Sequence, residues 1–302
     1  MNVVSFYRFL DLENPPLFRD ELQALCDEHG LLGTILVASE GFNGTIAGSA
    51  QAIRVVLSWL QERSEIDEEV DARWTRADAP PFRRMRVRIK KEIVPLGRPD
   101  ILPHEVTGRH VTPQRWNALI DDPNVLLIDT RNHYEYEVGT FPGAIDPGND
   151  SFREFPSFAE TLAEVSTDRP LAMFCTGGIR CEKASALMLE LGFTEVYQLQ
   201  GGILNYLESV PAKENRWHGE CFVFDTRVAV DRDLSEGGYV QCHACRRPLS
   251  AEDLASPDYR EGVSCPRCVN ETDADRRARL EERRKQVRLA AERGEPHIGA
   301  KI

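Results

Sequence analysis

Residues 171–193 read LAMFCTGGIRCEKASALMLELGF. The run Leu171–Cys175 is continuously apolar, two glycines follow, and from about Arg180 the apolar positions recur at helical spacing as far as Gly192. Such a run predicts a strand buried on both faces, as in a parallel sheet covered by helices, and Gly192 is a fitting helix stop. A turn between strand and helix aims several backbone N–H groups at one point, and the helix dipole adds positive potential there. Gly177 and Gly178 permit backbone conformations that other residues resist. Cys175 opens this turn and Arg180 closes it. A thiol in that cradle has a lowered pKa and is a nucleophile near neutral pH. Thr176, Gly177, Gly178 and Ile179 form the loop around it, and Arg180 adds a fixed positive charge. A buried structural cysteine accounts for a lone Cys at a strand end. It does not account for Cys, two glycines and Arg gathered at one junction.

Outward from this loop, VLLIDT (Val125–Thr130) and VYQLQGG (Val196–Gly202) read as further strands. Residues 114–212 are therefore an α/β domain with a parallel sheet. Residues 1–94 read strand–helix–strand–strand–helix–strand. VVSFYRF (Val3–Phe9) and TILVAS (Thr34–Ser39) are strands, EGFNG (Glu40–Gly44) is turn chemistry, and TIAGS continues as a short strand. EVDARWT and MRVRIKK, at 69–75 and 85–91, are also strands. The order predicts a ferredoxin-like split βαβ unit of α+β class. Pro95–Pro113 carries Pro and Gly without periodicity and reads as a linker. Residues 213–302 form a small Cys-rich segment ending in a basic helix. Two Cys-x-x-Cys knuckles, Cys242/Cys245 and Cys265/Cys268, are separated by nineteen residues. That spacing suits a structural zinc site of four thiolates, in a segment with few apolar residues to make a core of its own. Ordinary reduced thiols are the alternative. His243 reads as solvated and Cys221 as packed.

The 302 residues carry a net charge of −12, with 41% hydrophobic and 28% charged residues. These values fit a soluble globular chain and argue against a generally basic nucleic-acid coat protein. No apolar run reaches membrane-span length, and the start lacks the marks of a signal peptide, so the expected location is the cytoplasm. Eight cysteines in a reducing compartment are expected to be catalytic or metal-bound. Against the acidic average, Arg84, Arg86, Arg88 and Lys90 alternate with Met85, Val87 and Ile89, which places four basic residues on one strand face. Residues 276–293 hold eight basic and three acidic residues, a net of +5. One-signed stripes attract backbone phosphates. A solvated helix laced by Glu–Arg pairs describes the second stretch equally well. Trp74, Phe82 and Phe42 are aromatic candidates for base stacking or for the core.

Counted from Cys175 to Arg180 the loop holds six residues, one fewer than the phosphate-holding loop of cysteine phosphatases. The smaller ring suits a thiolate carrying one extra sulfur. At this point the segment resembles the rhodanese domain. The resemblance extends to IDTRNHYEYEVGTFPGAI (Ile128–Ile145), with Asp129 and Arg131 as auxiliary residues, and to YQLQGGILNY (Tyr197–Tyr206). It departs at Thr140–Phe141, where many members carry His-Ile. SEGFNGTIAG (39–48), CTGGIRCEKAS (175–185) and GECFVFD (219–225) occur together and in this order. The whole chain thereby resembles the rhodanese-domain tRNA uridine(34) hydroxylases. The resemblance implies a tRNA partner, dioxygen as co-substrate, formation of 5-hydroxyuridine at the wobble position, and Cys175 as the active-site residue. No nucleotide fingerprint or flavin motif occurs, so no organic cofactor is identifiable. A sulfurtransferase passing sulfane sulfur, and a redox-sensing RNA-binding adaptor switched by Cys175–Cys181, are the rival readings. Cys181 is either a resolving thiol for a sulfenate or persulfide on Cys175, or a small residue facing the core. The sequence does not define an oligomeric state.

Overall fold

A computed structural model describes residues 1–63, 70, 72–77 and 79–294. The first domain comprises β1 (Asn2–Phe9), α1 (Pro15–Glu28), β2 (Leu32–Ala38), β3 (Gly41–Gly48), α2 (Ala50–Arg63), β4 (Ala72–Arg76) and β5 (Met85–Ile89). Its sheet runs β4-β1-β3-β2-β5, antiparallel except for β5, which pairs parallel to β2. This is the expected split βαβ order with a fifth strand added at one edge. Glu69 and Asp71, at the start of the strand expected over 69–75, lie outside the described residues.

Period-two alternation gives the sheet two different faces. Val4, Phe6, Ile35, Val37, Phe42 and Ile46 bury against α1 and α2, together with Phe18, Leu22, Ile53 and Val56. Val3, Ser5, Thr34, Leu36, Asn43 and Thr45 face the other way, toward the second domain. The turn expected over Glu40–Gly44 is shorter than its composition implies, because β3 already begins at Gly41. As the central strand, β3 is pressed from both sides. A Cβ on Gly41 (φ 129°) would collide with the carbonyl of Arg8, and one on Gly44 would lie 2.8 Å from the Ile35 side chain. The glycines serve close strand approach rather than a loop.

The second domain holds β6 (Arg109–Val111), α3 (Pro113–Ile120), β7 (Leu126–Asp129), α4 (His133–Tyr136), β8 (Gly139–Thr140), α5 (Phe155–Ser166), β9 (Leu171–Phe174), α6 (Ile179–Glu190), β10 (Val196–Leu199) and α7 (Gly202–Ser209). Its four-stranded sheet, β6-β10-β9-β7, is wholly parallel. Every residue of β7 and β9 is buried, as continuous apolar runs require.

Two expected boundaries move. The stretch read as a linker, 95–113, supplies β6 to the sheet, and its Leu96 and Ile101 join the core shared with Ile128, Met173 and Leu187. It lacks periodicity because it crosses the surface as a packed strap, not because it is free. The segment expected to start a separate unit at 213 first completes the second domain. β11 (His218–Gly219) pairs with β8. Trp217, Cys221, Val223 and Val230 pack with Trp116, Phe141 and Phe174. Phe141, at the motif departure, is fully buried and meets Phe174, Tyr206 and Trp217 edge-on at 4.8–5.1 Å.

β12 (Cys221–Phe222) and β13 (Ala229–Val230) form a hairpin. After it come β14 (Val240–Gln241), β15 (Pro248–Leu249), α8 (Ala251–Ala255) and α9 (Ala274–Glu292). The four knuckle cysteines and Leu249 make their own small core. Arg267 pairs with Glu137, and Arg247 with Asp150, docking this unit on the second domain. The helix α9 is exposed along almost its whole length, with only Ala290 buried.

Candidate active site

Cys175 lies one residue past the end of β9, and α6 starts at Ile179. Gly178 adopts φ 100°, and a Cβ there would approach the Tyr7 hydroxyl to 2.9 Å. Glycine is required on both counts. The loop is fastened from below by α7, where Ile203 N–H donates to the Cys175 carbonyl (2.9 Å) and Leu204 N–H to that of Thr176 (3.1 Å). A Cβ on Gly202 would lie 2.5 Å from the Cys175 carbonyl oxygen, which explains the Gly-Gly turn after the last strand.

The Cys175 side chain is buried, at 1% exposure. Its Sγ accepts from Gly178 N–H at 3.1 Å. Burial alone would raise its pKa. A hydrogen bond from Cys181, the Arg180 charge and the N–H groups of Cys181 and Arg180 outweigh burial and lower it to about 6. The Cys181 thiol moves the opposite way, pushed up by burial and by the neighbouring Cys175. The pair therefore shares one negative charge, centred on Cys175, with Cys181 as a protonated donor. Cys181 is fully buried in the core and 3.5 Å from Thr130 Oγ1. Both sequence readings of Cys181 are compatible with that position.

Arg180 does not reach into the loop alone. Its guanidinium makes two hydrogen bonds to the buried Glu135, at 2.6 and 2.8 Å. Burial would raise the Glu135 pKa, but Arg180 holds it below the ordinary carboxylate range. The arginine thus acts on Cys175 from a fixed position. Asp129 and Arg131 are elsewhere. They form a fully buried pair (2.8 and 2.6 Å), bonded also to Thr140 and to the Gly139 carbonyl, with the guanidinium 5.1 Å from the Trp217 ring centroid. They brace the domain beneath the site and do not line it.

Cys175, Thr176, Gly177, Ile179 and Arg180 form one wall of a cleft of about 550 Å³. The first domain's outward sheet face is the opposite wall, and the β12–β13 hairpin closes the side with Phe224, Asp225 and Arg227. The site thus lies between all three segments. Behind it, Lys183 of α6 is completely buried between Glu40 and Glu92, with its Nζ 2.7 Å from each. Tyr7 reaches Glu182 at 3.2 Å. Glu135, Glu40, Glu92, Lys183 and Phe224 escaped the sequence reading as site residues. The charged ones are paired across 45 to 143 positions of chain, which no local pattern can show.

The basic residues Arg84, Arg86, Arg88 and Lys90 are all exposed. Arg86 aligns with Thr34 and Arg88 with Leu36 across the β2–β5 ladder, so they extend the cleft-facing side of the sheet. The apolar side is less tidy than its pattern. Val87 is buried, but Ile89 is 44% exposed because β5 is an edge strand. Phe42 is core, and Trp74 lies on the helix side of the sheet opposite Val4.

The sulfurs of Cys242, Cys245, Cys265 and Cys268 all lie within 4.8 Å of one another. Cys265 Sγ lies 3.6 Å from Cys268 Sγ and 3.8 Å from Cys245 Sγ, near the roughly 3.8 Å edge of a tetrahedron with metal–sulfur bonds of about 2.3 Å. Four thiolates in that arrangement fit a metal ion. His243 is exposed and stands outside it. Among the described residues, no helix is long and apolar enough to cross a membrane.

A cysteine opening a six-residue loop between a parallel strand and a helix makes the second domain a rhodanese-type unit, here facing a ferredoxin-like domain across a cleft. Family models agree: "Rhodanese-like domain" matches residues 112–209, and "UPF0176 acylphosphatase like domain" matches residues 1–93. Over 298 residues the chain is 50% identical to the tRNA uridine(34) hydroxylase of Sinorhizobium fredii (strain NBRC 101917 / NGR234), covering 99% of this chain and 95% of that protein. Its namesake in Sinorhizobium medicae (strain WSM419) is likewise 50% identical, with 99% and 94% covered. The chain belongs to the tRNA uridine(34) hydroxylase family.

Proposed function

We propose that this chain hydroxylates the wobble uridine of tRNA to 5-hydroxyuridine, with dioxygen as co-substrate and Cys175 as the reactive thiol, in the cytoplasm. The observation that carries this reading is the Cys175 thiol, its Sγ accepting from Gly178 N–H at 3.1 Å, on the wall of a cleft of about 550 Å³, room enough for a single nucleotide. A base inside a stacked anticodon loop cannot reach that sulfur, so the base must be extruded into the cleft. The basic residues Arg84, Arg86, Arg88 and Lys90 flank the opening and hold the phosphate backbone. Zinc occupies the four-cysteine site in a structural role, supplying cohesion to a unit with few apolar residues. The rhodanese loop gives the sulfurtransferase reading its specific support, because its amides also suit a persulfide on Cys175. Nucleoside analysis separates the two. tRNA from cells lacking the gene, complemented with wild type, should regain an added oxygen on the wobble uridine, and Cys175→Ser should not restore it. Sulfur replacing an oxygen would establish the rival.

A further inference from the structure

We propose that Phe224 is the platform on which the extruded pyrimidine stacks beside Cys175, an assignment that rests on the uridine-modifying reading above. Phe224 sits in the short connection of the β12–β13 hairpin and lines the same cleft as Cys175 and Arg180. It is nevertheless 66% exposed. Phenylalanine ordinarily gains from burial, so an open ring on an active-site wall calls for a ligand.

The ring is held rather than loose. Val223 N–H donates to the Val228 carbonyl at 2.9 Å, and Val223 itself is buried. Arg227 pairs with Asp225 at 2.6 Å, and its N–H donates to Asp225 Oδ1 at 2.9 Å. Phe222 meets the Phe224 ring edge-on at 5.1 Å. The Arg180 guanidinium carbon lies 5.8 Å from the ring centroid, which sets the platform against the arginine that closes the Cys175 loop. Two other aromatic residues line the cleft and serve less well. Phe152 is 5% exposed and packs on Phe155, and Phe82 is half-buried. The facing wall offers what the base's edge needs. Ser5, Thr34, Asn43 and Thr45 line it; the Ser5 and Thr45 hydroxyls share a hydrogen bond of 2.8 Å and Asn43 Nδ2 donates to the Ile93 carbonyl at 3.0 Å, which leaves oxygen acceptors for the one N–H of the base. A stacked face with a hydrogen-bonded edge is how single unstacked bases are held.

The test uses the full-length chain and an anticodon stem-loop with 5-iodouridine at the wobble position. Irradiation couples the iodinated base to an aromatic ring stacked on it, and mass spectrometry of the digest locates the bond. A cross-link at Phe224 is expected. One at Phe82 or Phe152, or at no aromatic residue, overturns the proposal. In turnover, Phe224→Ala should lower kcat/KM for tRNA about 5- to 150-fold, and Phe224→Trp should recover most of it. The pH profile of Cys175 alkylation should stay as in wild type in both variants, because Glu135 holds the Arg180 guanidinium whether or not the ring is present, whereas a role in shaping the loop would shift it. An unchanged kcat/KM in Phe224→Ala also overturns the proposal. A wild-type chain that cross-links at Phe224 yet leaves uridine unmodified would support the platform and count against the hydroxylase reading.

Discussion

Cys175 is the proposed reactive thiol, and the direction of its pKa shift gives a direct prediction. The thiolate is the species that reacts with iodoacetamide. A thiol lowered to about 6 should alkylate at a rate that climbs through that pH and levels off above it. Arg180→Ala removes a positive charge that favours the thiolate, so the midpoint should move upward. A wild-type midpoint near 9, the ordinary value, would mean that the loop does not hold a thiolate. Much of this was legible in sequence, because strand, glycines, Cys and Arg are consecutive and the backbone geometry they impose is local. The role of Glu135 was not. Its carboxylate fixes the Arg180 guanidinium from 45 residues away. The burial of Cys175 was equally hidden, since it depends on the first domain being pressed against the loop.

Among the elements, α6 does more than follow the reactive loop. Its Lys183 locks the second domain to the Glu40 turn and to Glu92 in the segment after β5. Lys183→Met should leave two buried carboxylates without their cation, at a cost of about 3–5 kcal/mol. Chemical denaturation of the full chain should show that loss, and a variant as stable as wild type would show the triad to be dispensable. The four-cysteine unit makes a different case. Chelation should loosen residues near 240–294 while the second domain, including Trp217 and the β12–β13 hairpin, keeps its core. Hydrogen exchange can read this element by element, and uniform protection with and without chelator would refute a structural metal. The strands of both sheets, β6 excepted, were readable because burial on one or two faces dictates period two or continuous apolar runs. The strap at 95–113 and the stretch at 217–230 were not. Each completes a core already begun elsewhere in the chain, so neither needs a periodicity of its own.

The whole molecule sets a basic stripe beside the Cys175 cleft in a chain of net charge −12. If Arg86 and Arg88 meet phosphates, reversing both with Glu should weaken binding of all tRNAs alike and flatten the dependence of log affinity on log salt by about two contacts' worth. An unchanged slope would move the RNA path to α9. Fold class and the order of the three segments were visible from sequence. Their convergence on one cleft was not, because it rests on side chains meeting across domains. In the proposed reaction this cleft, through Cys175, puts an oxygen atom from dioxygen onto a wobble uridine. Its most direct test is to incubate the purified chain with unmodified tRNA under heavy-isotope oxygen gas and to determine the accurate mass of the wobble nucleoside. Hydroxylation through Cys175 should give one labelled oxygen on uridine with wild type and none with Cys175→Ser. An oxygen of unlabelled origin, or sulfur in place of an oxygen, would contradict it.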